Sequence, residues 1–495
     1  MKKILSILLT GLVLFTFSGC ESWLDVNDDP DNPSSATPEL VLPVATMSTA
    51  TVVGGYYNLL GGFWSQYWTQ STAANQYKYI DSYTINATDF SSQWTELYAG
   101  ALNDFAYVIR EAEAAEDWSM YLIATVMKCY TYQVLVDLYD EVPYFEASKG
   151  GTEEIFSPAY DGGQAIYDDL IASLDIALEK DYMLTEREMT TDQVFGGDMA
   201  SWVKFANTLK LKIFMRQTAA RPAVAQAGIE QLYASGAQFL DTDAGLDIFI
   251  DEIYKDNPLY AANNRNLNVA TNLRVSATFY LYLDNVSDPR FDYYVDGGST
   301  PLPQGGFNIG STVIDPTTVS VFALYPTTPV FFISHEESLF LQAEAAARGW
   351  ATGAVAKDLY DAAVTEAFAK AGGNDASAFI GAGGAYEYPA GTEAENLEAI
   401  FMQKWVSFAG TNGIESFFET NRTGIPAISS VDAWTGSALN TNYFGGEFTY
   451  SLEGVTGDGN FPKRLLIPQT ERAANVNVPE ELMAKDVTDK VWWNK

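Results

Sequence analysis

The stretch AEAAARGWATGAVAKDLYDAAVTEAF, residues 343–368, decides the fold of this 495-residue chain. Small residues and aromatics recur along it at the spacing of neighbouring turns of a helix. The pattern predicts two consecutive helices, 334–349 and 353–371. Because the apolar residues share one side of each helix, the two helices are expected to pack against each other.

Similar pairs are predicted elsewhere in the chain: 90–117 with 119–139, 160–180 with 198–217, and 395–409 with 411–420. Within the first of these, apolar side chains recur every four residues, at Leu122, Val126, Tyr130, Val134 and Leu138. The spacing in 343–368 is that of a tetratricopeptide unit, and the other pairs match it more weakly. The pairs therefore indicate a helical-repeat core.

Polar residues mark the expected starts of two helices. Asp198 precedes the apolar stripe of Trp202 and Phe205 and is predicted to be an N-cap. The Asp161-x-x-Gln164 pair fits a capping box before the helix predicted at 160–180.

Between about 236 and 333, and again from 421 to 475, the helical pattern gives way to Gly, Pro, Asn and Thr. Long irregular segments inside a helical chain are often functional. The sequence therefore predicts a mainly α fold, with a tetratricopeptide-like helical-repeat core and large irregular loop insertions. Residues 37–495 are expected to form a single domain.

The N-terminus predicts export. Lys2 and Lys3 precede an uncharged apolar run that ends at Ser18-Gly19-Cys20, as in a secretory signal. Cys directly after Ser-Gly resembles a bacterial lipobox, in which the Cys20 thiol is lipidated. Residues 1–19 are then a lipoprotein signal peptide, and residues 20–36 a lipidated acidic tether on a membrane. The alternative is ordinary secretion with an incidental cysteine.

Charge and cysteine content restrict the class of protein further. The formal net charge is −36, with 64 acidic against 28 basic residues, so the surface repels phosphate backbones and no nucleic-acid partner is expected. The second of the two cysteines, Cys129, lies in an apolar helix and is predicted to be a small buried residue.

Catalytic and metal-binding signatures are scarce. The only histidine, His335, begins HEESL, in which Leu339 takes the place of the second zinc-ligating histidine. No catalytic residue, cofactor or metal is predicted. A glycoside hydrolase remains a less favoured alternative, because 64 acids offer many carboxylate pairs.

The chain between Tyr56 and Tyr98 holds twelve aromatics in 43 residues. Flat rings beside amides suit the C–H faces and hydroxyls of sugars, or peptides. Trp64 and Trp68 are expected to share one helical face, followed in a loop by exposed polar and aromatic residues. The predicted ligand-binding residues of this segment are Trp64, Trp68, Asn75, Gln76, Tyr77 and Tyr79. The competing interpretation is that the aromatics pack between helices.

A second candidate segment is IYKDNPLYAANNRN, residues 253–266. Asn263, Asn264 and Arg265 could donate hydrogen bonds to hydroxyls or backbone carbonyls. The alternative is that these residues form a solvated loop.

Motifs along nearly the whole chain resemble the SusD/RagB family of outer-membrane nutrient-binding lipoproteins, and more closely its SusD-like branch. They are the lipobox followed by LDVNDDPDNP (24–33), Gln93-Trp94…Tyr98, DLYDEVPYFEA (137–147), GGDMASWVKFANTLKLKIFMR (196–216), Asp288-Pro289-Arg290, EESLFLQAEAAARG (336–349), IFMQKW (400–405), ETNRTGIP (419–426) and PKRLLIPQTERAAN (462–475).

This resemblance implies a lipid-anchored protein on the outer membrane, facing the cell exterior. It implies a SusC-like TonB-dependent transporter as partner and an oligosaccharide or peptide as ligand. The leading hypothesis is therefore a protein that binds an oligomeric nutrient without cleaving it. The alternative of a different class is a helical-repeat scaffold that binds only protein partners.

Overall fold

A computed structural model describes residues 36–184, 189–267, 272–457 and 459–494. The predicted signal peptide, Cys20 and the tether up to residue 35 lie outside the described residues. The described chain contains twelve helices of nine residues or more: α1 Pro38–Gly54, α2 Tyr56–Trp64, α3 Asn103–Ala114, α4 Trp118–Tyr139, α5 Gly163–Glu179, α6 Met199–Arg216, α7 Pro222–Ala234, α8 Ala277–Asn285, α9 His335–Ala347, α10 Ala356–Lys370, α11 Glu393–Ser407 and α12 Gly413–Thr423.

Shorter helical segments connect these helices. The π-helical turn Glu96–Leu102 joins Ser91–Thr95 to α3 as one continuous helical stretch. The remaining short segments are Lys78–Asp81, Gly150–Glu153, Tyr182–Leu184, Pro258–Tyr260, the π-helical Ala261–Arg265, Phe291–Tyr294, Gly306–Asn308, Ser377–Ile380, Gln469–Ala474 and Glu480–Met483.

All four predicted helical pairs are present and packed: α3 with α4, α5 with α6, α9 with α10, and α11 with α12. Small side chains such as Ala343 and Ala363 face aromatics such as Phe340 and Phe368, and together they form a core cluster of their own. The mainly α, tetratricopeptide-like fold is confirmed.

The helix starts agree with the prediction in one case out of two. The Asp198 carboxylate accepts a hydrogen bond from the Ala200 amide at 3.0 Å, so it caps α6 as predicted. The prediction of a capping box at Asp161 and Gln164 is wrong. Asp161 lies in a short strand, and its carboxylate accepts hydrogen bonds from the amides of Tyr144 and Phe145. A capping box does form at Thr392 and Glu395, where α11 begins.

The irregular segment 236–333 contains five of the eight described strands. The strands are β1 Trp68–Gln70, β2 Val142–Pro143, β3 Tyr160–Asp161, β4 Ala244–Leu246, β5 Leu273–Val275, β6 Val295–Asp296, β7 Val321–Phe322 and β8 Val330–Ile333. They form one four-stranded sheet in the order β1-β5-β7-β6 and two two-stranded sheets, β2-β3 and β4-β8. In the larger sheet, β1 runs antiparallel to β5 with Trp68 opposite Val275.

Helices α1 and α2 form a 27-residue apolar run with a mean hydropathy of 1.2, long enough to cross a membrane by length and composition alone. It is the one such run in the described part of the chain, and 61% of its most apolar 18-residue window is buried in the protein. α2 crosses α12 at Gly61, where an added Cβ would lie 2.2 Å from the Gly413 carbonyl. These two helices therefore belong to the core.

A network of buried charges ties the helices together. The Arg216 guanidinium on α6 contacts carboxylates of Asp137 on α4, at 2.9 Å, and of Glu415 and Glu419 on α12, each at 2.5 Å. Lys212 bridges Glu337 and Glu415, both at 2.9 Å. The network also includes Glu344 on α9, Lys404 on α11 and Arg422 on α12.

One smaller prediction, the burial of Cys129, is also confirmed. Cys129 is buried and its thiol lies 3.8 Å from the Leu170 carbonyl, and burial raises its pKa to about 12, so the thiol remains protonated and unreactive at neutral pH. Asp288-Pro289-Arg290 forms a turn whose acid and base pair at 2.6 Å, both fully buried. The Arg290 guanidinium also lies over the Phe368 ring at 4.1 Å.

Candidate functional site

Three of the aromatics predicted to bind a ligand lie in the hydrophobic core. Trp64, Trp68 and Tyr77 expose 4%, 0% and 1% of their surface. Trp64 and Trp68 do not share a helical face, because α2 ends at Trp64 and Gln66 adopts a positive φ of 57°. Trp68 therefore enters β1 instead of continuing the helix.

The contacts of the two tryptophans show why burial is complete. The Trp68 indole donates to the Leu59 carbonyl at 3.2 Å. It also packs edge-on against the Phe322 ring, with 4.8 Å between the ring centres. The Trp64 indole donates to the Ile80 carbonyl at 3.3 Å. With their polar atoms satisfied inside the protein, neither ring is available to a ligand, and the prediction for these residues is corrected accordingly.

Tyr77 connects the two segments that the sequence analysis singled out. Its hydroxyl donates to the Ala262 carbonyl at 3.4 Å, and its amide donates to the Gln70 side chain at 2.7 Å. The pairing of β1 with β5, in which Trp68 lies opposite Val275, joins the first segment to the chain that follows the second. Tyr77 is thus a buried support, and its predicted exposure is wrong.

We define the junction surface as residues 72–79, 250–267 and 306–308. Asn75, Gln76 and Arg265 are exposed on it, and Tyr79 and Asn264 are half-buried. Six of the nine predicted binding residues are therefore not among the three buried aromatics, and five of these six lie on the junction surface. The sixth, Asn263, is buried and donates to the Asn264 side chain at 2.6 Å.

Arg265 has a structural task on this surface. Its guanidinium donates to Asp256 at 2.7 Å and to Asp251, and it lies 5.1 Å from the centre of the Tyr260 ring. Two carboxylates and a ring fix the side chain in place. Arg265 therefore closes the 250–265 turn, and a ligand would reach only its outer edge.

Several residues of the junction surface were missed by the sequence analysis. Tyr254, at the tip of the 250–255 turn, is 92% exposed. Outside the surface as defined, Tyr56 is exposed beside Tyr79. Lys78 donates to the Asn308 side chain at 3.3 Å and lies 4.9 Å from the centre of the Phe307 ring. The charged neighbours Asp251, Glu252 and Lys255 were the available signal for the exposure of Tyr254.

The electrostatics behind the surface keep its groups in defined protonation states. Burial raises the pKa of Tyr79, and Asp89 and Tyr56 raise it further, so its phenol remains a hydrogen-bond donor at neutral pH. Beneath the surface, burial raises the pKa of Asp81 to about 6 although Thr69, the Gln70 amide and Gln304 donate to it.

The acidic side chains of the junction surface do not form a metal-binding cluster. Within the described residues, no group of three or more His, Cys, Asp or Glu side chains is placed to hold a metal ion. What the junction surface offers is amide and phenol hydrogen-bonding groups beside aromatic rings.

Comparisons with known proteins agree with this architecture. The profile of the SusD-like family, described as starch-binding and associating with the outer membrane, matches residues 30–445. A search of curated proteins finds no match. A solved chitin-binding protein is 24% identical, with a TM-score of 0.70, over 92% of this chain and 100% of that one.

Two further solved structures show the same fold at lower identity. A chitin-binding SusD homologue from Flavobacterium johnsoniae is 20% identical, with a TM-score of 0.72, over 92% of this chain and 98% of that one. A SusD homologue from Bacteroides uniformis is 20% identical, with a TM-score of 0.71, over 92% and 99% of the two chains. The family profile covers most of the chain, and the predicted family is confirmed: this chain belongs to the SusD-like family.

Proposed function

We propose that this protein is a lipid-anchored, outward-facing receptor of the outer membrane that binds an oligosaccharide at the junction surface. It passes the oligosaccharide to a SusC-like TonB-dependent transporter without cleaving it. The observation that carries this proposal is the contact between the two segments, through the Tyr77 hydroxyl and the Ala262 carbonyl at 3.4 Å. One segment exposes the amides of Asn75 and Gln76, and the other exposes the ring of Tyr254.

A binding site for sugars needs both aromatic rings and polar hydrogen-bonding groups. The C–H faces of a pyranose pack against aromatic rings, and its hydroxyls need directional donors and acceptors. Asn75, Gln76 and the Tyr79 phenol supply such groups from the first segment, and Asn264 supplies another from the second. A match to a family described as starch-binding supports a glycan over a peptide.

The placement of the carboxylates supports binding without hydrolysis. A glycosidase needs two carboxyl groups free to act on either side of the scissile bond. On the junction surface, Asp251 and Asp256 both contact the Arg265 guanidinium, and Glu252 pairs with Lys255 at 2.7 Å. We therefore expect no cleavage products when the protein is incubated with starch or chitin oligosaccharides, as measured by mass spectrometry. Turnover that one carboxylate substitution abolishes would contradict the proposal.

Replacing Tyr254 with Ala should weaken oligosaccharide binding by about 5- to 150-fold, because an aromatic contact at an interface contributes about 1–3 kcal/mol. The melting temperature of the Tyr254→Ala protein should equal that of the unmodified protein, because the Tyr254 side chain is 92% exposed. Gln76→Ala should weaken binding through lost hydrogen bonds. Isothermal titration with starch and chitin oligosaccharides measures both effects.

The matched control is Phe156→Ala, which removes a ring that is 79% exposed outside the junction surface. Binding by this variant should equal that of the unmodified protein. If Tyr254→Ala and Gln76→Ala both bind normally, the ligand does not use the junction surface. If no oligosaccharide binds while the protein forms a stable complex with its transporter, the scaffold hypothesis is the better one.

Substituting Cys20 with Ala should release the protein from the membrane, because the thioether to lipid needs the thiol. Fractionation of cells that lack the transporter gene, followed by immunoblotting, should find the variant in soluble fractions. Ser18→Thr, which leaves the thiol in place, serves as the control and should stay with the membrane. Membrane retention of the Cys20→Ala protein in these cells would contradict the lipid anchor.

A further inference from the structure

A cavity of about 450 Å³ lies between the β4-β8 sheet, the C-terminal end of α10 and the turn after α11. Its floor is buried and includes Tyr294, Phe331 and Ala371. Its rim includes the exposed residues Gln193 and Asp247. None of its lining residues belongs to the junction surface. The volume falls within the range of small-molecule sites in proteins.

Negative charge exceeds positive charge in the lining. Asp243, Asp247 and Glu336 face the cavity together with a single base, Lys370. Lys370 pairs with both Asp243 and Glu336. Asp247, by contrast, has no hydrogen-bond or ion-pair partner among the described residues. One carboxylate at the mouth of the cavity is therefore left to interact with a cation.

Hydroxyl groups form a second part of the lining. Thr242 and Thr328 lie near the entrance, and Thr411 lies at the turn after α11. Ser407 uses its proton on the Lys404 carbonyl at 2.8 Å, so its oxygen can still accept. Donors and acceptors of this kind suit a polyhydroxylated ligand, and the half-buried ring of Tyr293 adds an apolar contact.

We propose that this cavity binds a small sugar that carries a protonated amino group, with the ammonium beside Asp247. A neutral sugar leaves the excess negative charge uncompensated, and an acidic sugar is repelled by it. A simple polyamine satisfies the charge but has no hydroxyl groups of its own to donate to the oxygens of these side chains. An amino sugar satisfies both, and this site is separate from the oligosaccharide surface proposed above.

Isothermal titration with glucosamine, N-acetylglucosamine and putrescine tests the assignment on the full mature protein. Glucosamine should bind at least about tenfold more tightly than N-acetylglucosamine, which lacks the charge, and than putrescine, which lacks the hydroxyls. Asp247→Asn should weaken glucosamine binding by about tenfold. Asp358→Asn, which removes an exposed charge from α10 outside the cavity, should leave it unchanged.

Each alternative result overturns the proposal in a defined way. Absence of glucosamine binding rules out the site. Equal binding of N-acetylglucosamine removes the role of charge, and equal binding of putrescine removes the role of the hydroxyls. Equal losses in Asp247→Asn and Asp358→Asn indicate a general effect of net charge. Asp247 is exposed, so its substitution is not expected to impair folding.

Discussion

Replacing Arg216 with Met is expected to lower the free energy of unfolding by about 3–5 kcal/mol, because it leaves buried carboxylates without their counter-charge. Three carboxylates, on Asp137, Glu415 and Glu419, contact this one guanidinium, which is almost completely buried. Met replaces the aliphatic part of the side chain but not the guanidinium, so the loss combines the unpaired carboxylates with a small cavity. Denaturant unfolding measures it.

The geometry of the guanidinium makes a second variant informative. Arg216→Lys keeps the charge, but a single ammonium cannot reproduce the fork that reaches two helices at once. Its loss of stability should be intermediate. Arg110→Met, which breaks an exposed pair with Glu111 at 3.3 Å, should cost less than about 1 kcal/mol. A similar small loss for Arg216→Met would show that the network adds little to stability.

Protonation of the network links stability to pH. Burial alone would raise the pKa of Glu419, but Arg422, Lys404 and Arg216 outweigh it and hold that pKa well below its ordinary value. A carboxyl whose folded pKa is lowered stabilises the protein above its unfolded pKa, and this stabilisation is lost as the pH falls through the folded value. Glu419 therefore contributes to stability at neutral pH, and this contribution is lost in acid.

The helical pairs could be predicted from sequence because their apolar residues repeat every three or four positions over ten or more residues. The strands could not, because each is only two to four residues long, too short for an alternating pattern. The network of buried charges could not be predicted from the sequence either. Two of its pairs are local, Glu419 with Arg422 on one helix and Lys404 with Glu419 on consecutive helices, but the others join helices far apart in the chain.

The junction surface was predicted in part. Both candidate segments were identified by their amides and aromatics, but their contact depends on the long-range pairing of β1 with β5. Polar neighbours suggested that Tyr77 was exposed, whereas Gln70 and the Ala262 carbonyl satisfy its polar atoms inside the protein. Composition alone does not distinguish a satisfied buried tyrosine from an exposed one.

Trp68→Ala should be the most destabilising substitution among the predicted binding residues, with a loss of about 3–5 kcal/mol. The ring is completely buried and packs directly on Gly62, where an added Cβ would lie 1.9 Å from it. Removing it leaves a cavity between α2 and β7 and removes the indole hydrogen bond to the Leu59 carbonyl. Denaturant unfolding followed by tyrosine fluorescence and circular dichroism measures the loss.

The same variant separates a core role from a binding role for this tryptophan. At a temperature where Trp68→Ala is still folded, its affinity for oligosaccharide should match that of the unmodified protein, because the ring has no exposed surface to offer. Trp350→Ala, at a half-buried ring that Arg348 covers at 5.2 Å, should lose less than half as much stability. Normal stability of Trp68→Ala together with lost affinity would place the ring at the ligand, and would require the segment after α2 to open when the ligand binds.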